Sequence, residues 1–268
     1  AQQPEGTAWD EYDRQFVRFR FLIRNLKTGE ETAQAIAQPE EAAASAPEKR
    51  LLAESVRQYA RAFDERFGGF GTAPKFPAAH NLLFLLRYSE LTGDVHARRM
   101  AERTLEGMAR GGMFDQIGGG FSRYSTDDRW LVPHFEKMLY DNALLSYAYL
   151  EAFRLTGRRL YRAAAERTIG YVLCELRHPE GGFFCGQDAD SDGVEGKYYV
   201  FTPQEVESVL GAEDAAYFCA WFDIAPQGNF EGKSIPNLLK NPGYEAEEAR
   251  IAPLRKKLYE YRLQRTAL

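Results

Sequence analysis

A glycine-aromatic phrase returns three times along this chain: FGGFG at residues 67–71, GGGF at 118–121 and GGFF at 181–184. The copies stand about fifty to sixty residues apart, the length of one helical hairpin and its connection. Glycine lets the backbone leave a helix at positive φ while the aromatic packs back onto the helix end, so each phrase marks an equivalent corner. One such phrase is a structural corner and nothing more. Three of them predict a toroid of hairpins. Between the corners, apolar residues recur at three- and four-residue steps, predicting helices over 51–67, 81–91, 95–109, 133–155 and 160–176. The expected fold class is therefore all-α.

The flanks read differently. Trp9, Tyr12, Phe16, Phe19 and Ile23 predict an amphipathic helix over 8–26, and the Ala/Glu/Pro stretch 32–47 reads as a linker or loosely held helix. The division expected is an N-terminal helix and linker, 1–47, and a helical domain, 48–268. After the third corner two aromatic runs, 182–185 and 197–201, predict a small β-hairpin inserted at the rim. TPQEV then opens a helix with Thr202 as N-cap, Pro203 in the first turn and Glu205 completing a capping box. A loop rich in Gly, Pro and Asn covers 225–243, and a charged helix is predicted over 245–264.

Charge and cysteine usage narrow the chemistry. With a net charge of −5 and its basic residues scattered among acidic ones, the chain has no stripe suited to phosphates, so no nucleic-acid partner is expected. Cys174, Cys185 and Cys219 form no C-x-x-C pair, which argues against a zinc knuckle, a dithiol centre or a disulfide framework and for a reducing, cytoplasmic setting. No run of eighteen apolar residues and no leader is visible, so no membrane partner is expected. The chain begins with Ala, which leaves room for a processed start.

Three stretches carry candidate chemistry. In GGGFSRYSTDDRWLVPHFEKMLYDNA, residues 118–143, Pro133 is expected to begin a helix that aligns His134, Lys137, Met138 and Asp141 on one side. A helix N-terminus disfavours an imidazolium, so His134 there would be neutral and able to take a proton. The plainer account is a Lys137–Asp141 pair of small energy, with His134 bonded to the loop. Arg123, Tyr124, Asp127, Asp128 and Trp130 add donors, acceptors and flat faces suited to a polar ring such as a sugar, and Glu136 and Tyr140 flank them.

The second stretch, DADSDG, fits the first half of a calcium loop, but Tyr199 stands where the bidentate Glu belongs. It reads either as a turn whose side chains satisfy backbone amides or as a source of carboxylates, Asp188 and Asp190, leaning over the helix end. In the third, GTAPKFP, two prolines fix the direction of Lys75 and Phe76, which become candidate ligand contacts against the default of a solvated lysine. No metal and no cofactor is expected.

These phrases, with GNFEGKSIPNLL at 228–239, resemble successive motifs of the thioredoxin-domain-containing family that includes spermatogenesis-associated protein 20, over about residues 50–240. The resemblance implies an (α/α)6 toroid similar to N-acylglucosamine 2-epimerases and six-hairpin glycosidases, here incomplete, preceded in the family by a thioredoxin-like domain that has no counterpart before Trp9. An incomplete ring leaves apolar faces open, so self-association or a thioredoxin-like partner is expected. The implied function is binding of a carbohydrate-like ligand. Isomerisation would use His134 as proton carrier, whereas hydrolysis would use carboxylates from among Asp141, Asp188 and Asp190. The competing reading is a non-catalytic scaffold that accompanies a thioredoxin-like domain.

Overall fold

A computed structural model describes residues 20–24, 31–35, 49–244 and 248–265. The chain divides into two compact units, Ala1–Glu48 and Lys49–Leu268. In the first, β1 (Arg20–Arg24) pairs antiparallel with β2 (Glu31–Ala35), Arg20 opposite Ala35 and Arg24 opposite Glu31. This corrects the helix expected over 8–26 for its last part: the run Phe21-Leu22-Ile23 serves a strand as well as a helix, and cross-strand pairing decides it. Residues 8–19 and 36–47 lie outside the described residues.

The second unit is mostly helical. Its helices are α1 (Lys49–Ala62), α2 (Ala79–Thr92), α3 (Val95–Arg110), α4 (Leu139–Thr156), α5 (Arg159–Tyr171), α6 (Pro203–Leu210), α7 (Ala212–Trp221) and α8 (Glu248–Arg262). A π-turn, Val172–Leu176, extends α5. α2–α3 and α4–α5 are antiparallel hairpins closed by short connections at Gly93 and Gly157, each at positive φ. α2 packs beside α4 in one layer, and α1, α3 and α5 follow one another in the other, which is the two-layer arc of a helical toroid. Leu82, Leu85, Met100, Leu105, Met108 and Tyr149 fill the space between the layers. A separate cluster of Phe201, Val206, Phe218, Phe222, Ile251 and Leu258 holds α6, α7 and α8 together. The capping box forms as the sequence demands: Glu205 N–H donates to Thr202 Oγ1, and Thr202 N–H donates to the Glu205 carboxylate.

The glycine corners repeat in atomic detail. In the first, Gly68 N–H donates to Asp64 O and Asp64 N–H to Gly69 O, and in the second Asp115, Gly119 and Gly120 make the same two bonds. The third keeps the pattern with His178, Gly181 and Gly182. In the first two, the corner aspartate also accepts two amide N–H groups on Oδ1. Its other oxygen takes a buried lysine: Lys75 Nζ lies 2.5 Å from Asp64 Oδ2 and Lys137 Nζ lies 2.9 Å from Asp115 Oδ2. Each lysine also donates to the carbonyl of a corner glycine, Gly68 or Gly119, at 2.8 Å.

That seat explains why the helix expected from Pro133 begins only at Leu139. Residues 133–138 are extended, because their backbone is spent on neighbouring strands. β4 (Pro133–His134) pairs with β3 (Tyr124–Ser125), and β5 (Lys137–Met138) pairs with β6 (Gly186–Gln187). Likewise, the two aromatic runs expected to form the rim hairpin do not pair with each other. The hairpin there is β7 (Asp190–Ser191) with β8 (Val194–Glu195), turning through Asp192 and Gly193 at positive φ.

Candidate functional site

The β3–β4 ladder sets the site. Tyr124 and His134 are direct cross-strand partners, so their rings stack at 5.1 Å between centroids and 30°. Phe76, from the extended segment after the first corner, adds a third ring 5.0 Å from Tyr124. Phe76 is 56% exposed, so these rings form a platform open to solvent.

Polar groups gather at its His134 end. Nδ1 of His134 lies 2.7 Å from Glu195 Oε1, which also accepts the Phe135 N–H, and Nε2 lies 3.7 Å from Glu136 Oε2. Glu136 is paired in turn with Arg123 at 2.9 Å, and Tyr140 lies close to Arg123. Asp141, in the first turn of α4, completes the group: burial and the charge of Glu136 push its carboxyl up to about 6 against the opposing pull of Arg123. Two carboxylates, an acid whose carboxyl is raised to about 6, an imidazole and a guanidinium thus share one aromatic-floored surface.

Of the residues singled out in the sequence, Phe76, Arg123, Tyr124, His134, Glu136, Tyr140 and Asp141 come together. The helix-dipole argument for His134 falls with the helix, since the ring sits on a strand and is oriented by Glu195 instead. Lys75 and Trp130 are corrections of placement. Lys75 is buried on Asp64, Gly68 O and Asp128 O, and Trp130 is fully buried with its indole N–H donating to Phe67 O at 3.1 Å. Both stiffen the loops beneath the platform and leave no surface for a ligand. Asp127 is spent on the backbone N–H groups of Arg129, Leu131 and Val132.

Asp188 accepts the amides of Ala189 and Asp190, the turn account of that motif, while Asp190 is exposed in β7 opposite Glu195. The carboxylate that this hairpin delivers is Glu195. Its signal in the sequence was the DSDG turn, which places residue 195 directly across from 190 in a two-residue hairpin. Among the described residues no cluster of three His, Cys, Asp or Glu side chains stands at metal-binding distance, and no helix is long and apolar enough to cross a membrane.

Below the site lies a charged hub. Asp115 is buried against both Lys137 and Arg262, with Arg262 Nη1 at 2.8 Å from Oδ2. Burial alone would raise the Asp115 carboxyl, but the charges of Arg262 and Lys137 hold it well below the usual carboxylate range. Because Lys137 follows Glu136 directly and β6 pairs with β5, this hub fixes the strands that carry the site.

No protein-family model matches the chain. The human spermatogenesis-associated protein 20 is 47% identical over 164 residues, which make up 58% of this chain and 21% of that protein. The mouse protein of the same name is 42% identical over 200 residues, 68% of this chain and 25% of its own length. The chain is homologous to spermatogenesis-associated protein 20. It spans between a fifth and a quarter of the length of these two relatives. Among solved structures, cellobiose 2-epimerase from Spirochaeta thermophila aligns over 54% of this chain and 42% of its own, at 19% identity and a TM-score of 0.43.

Proposed function

We propose that the platform of Phe76, Tyr124 and His134 binds a polar ring of the carbohydrate class, and that His134 and Asp141 handle a proton on it. The observation that carries this reading is the stack itself, with acid and base at one end. Aromatic faces suit the apolar face of a sugar ring, while Arg123, Glu136 and Glu195 suit its hydroxyls. His134, held at Nδ1 by Glu195, has Nε2 3.7 Å from Glu136 Oε2 and is the imidazole that would take the proton in an isomerisation. Asp141, with a carboxyl at about 6, supplies a proton at neutral pH more readily than an ordinary aspartate.

One observation favours the second reading, a non-catalytic interaction surface. The cavities of 560, 460, 440 and 350 Å³ are lined by other residues, and the platform is open. Thermal unfolding of the chain with a panel of mono- and disaccharides separates the two. A ligand at one hundred times its dissociation constant adds about 2.7 kcal/mol. The carbohydrate reading expects a saccharide that raises the melting temperature of the parent and not of His134→Ala. A panel that leaves the folded parent unmoved overturns it in favour of the interaction surface.

A further inference from the structure

A trough runs between α5 and α8, away from the platform. Two cavities of 560 and 440 Å³ meet in it, sharing Glu166, Arg167 and Arg255. Together they follow α5 from Arg159 to Cys174, roughly 20 Å at the rise of a helix. The trough belongs to the gap between two packing groups: α5 rests on α3 and α4, and α8 on α6 and α7.

Its chemistry departs from that of the chain. Arg159, Arg162, Arg167, Arg255 and Lys256 line it against one lining acid, Glu166, which pairs with Arg162 at 2.7 Å, while Lys256 stands 3.9 Å from Glu260, in a protein whose net charge is −5. The floor is apolar and aromatic, from Phe114 and Trp221 at one end to Tyr171 and Tyr259 at the other. Arg167 is stacked over Phe114 and donates to Asp115 O, so it is built into the floor. Arg159, Arg162 and Lys256 are exposed at the rims.

We propose that this trough docks an acidic amphipathic segment of a partner protein, about four helical turns long, with its apolar stripe on the aromatic floor and its carboxylates on the rims. Charge complementarity selects the occupant: with Glu166 and Glu260 set against the five cations, the trough keeps a net positive charge for an acidic segment to meet. The length selects a peptide over a compact small molecule, because the two cavities form one elongated path. Nucleic acid fits less well, since the floor offers an apolar strip along the trough where a phosphate backbone gains nothing.

The probe is a fluorescein-labelled 15-residue peptide with Glu on one helical face and Leu on the other, read by anisotropy on the full chain. Arg159→Glu/Arg162→Glu/Lys256→Glu changes only exposed rim residues, and its folding is checked by circular dichroism. Arg57→Glu/Arg87→Glu/Arg99→Glu makes the same charge change on exposed residues elsewhere. The expected result is saturable binding that weakens at least tenfold in the rim variant and less than threefold in the control. Equal weakening in both variants, no saturable binding by the parent, or tighter binding of a labelled single-stranded DNA than of the peptide overturns the proposal.

Discussion

Lys75 and Lys137 are seated identically in two successive corners, each amine held by the corner aspartate and by the carbonyl of a following glycine. The equivalence shows what the glycine phrases are for. They bring a carbonyl and a carboxylate to one point inside the domain, and the lysine that fills the point ties down the strand after it. In the first corner that strand segment ends in Phe76, and in the second it carries His134 and Glu136. The platform is therefore assembled by two copies of one structural device.

The second copy is the more costly to break, because Asp115 answers two buried cations. Asp115→Asn leaves Lys137 and Arg262 without a counter-charge, and removing one member of a buried pair costs about 3–5 kcal/mol. Urea denaturation at pH 7 is expected to show a loss of that size. The pH dependence follows from the depressed carboxyl: its contribution is fully present above the unfolded value near 4 and is lost as pH falls below it. The parent thus loses stability below about pH 4, and the variant's corresponding loss is smaller; equal acid sensitivity of the two would contradict the hub.

Asp141 has the opposite sign. Its carboxyl is raised to about 6 in the folded chain, so the folded state binds more protons than the unfolded one between about pH 4 and pH 6. Stability therefore falls as pH rises through that window and is level above it. Asp141→Asn has no such loss and is expected to gain on the parent by about 1 kcal/mol between pH 4 and pH 7, after discounting for the half-exposed side chain. Denaturation midpoints at the two pH values measure this. A difference between parent and variant that does not move with pH would show that the carboxyl is not raised.

Glu195 holds His134 from the far side of the rim hairpin. The pair is partly exposed, so Glu195→Gln is expected to change stability by less than about 1 kcal/mol. If the proposed site binds a saccharide, affinity is expected to fall about tenfold, since the imidazole loses its fixed direction. Titration calorimetry with whichever saccharide stabilises the parent provides the measurement, and unchanged affinity would remove Glu195 from the site.

Much of the frame was legible because it is local. The periodicity of Leu82, Leu85 and Leu86, or of Met100, Leu105 and Met108, belongs to single helices, and the Thr202–Glu205 box is a three-residue relation. The strands at 133–138 were hidden by the same reasoning. Pro133 is a fair helix start, and only pairing with Tyr124 across the preceding loop and with Gln187 far along the chain overrides it. Lys75 read as a ligand contact and Lys137 as the partner of Asp141 for want of knowing that Asp64 and Asp115 wait inside. Glu195 went unselected because a two-residue hairpin, not a motif, brings it to His134.

The corners themselves admit a controlled comparison. Gly120 and Gly182 stand at φ +78° and +77°, so an alanine at either pays the same left-handed backbone strain, about 1 kcal/mol. Their surroundings differ. A methyl on Gly120 would lie 2.4 Å from the Tyr171 ring, which is buried, whereas one on Gly182 meets nothing within 4 Å. Gly182→Ala is therefore expected to cost about 1 kcal/mol, and Gly120→Ala about 1–3 kcal/mol more through overpacking. Urea midpoints of the two variants test whether the second corner is a close-packed joint; equal losses would mean that Tyr171 yields freely and that the corner's glycine serves the turn alone.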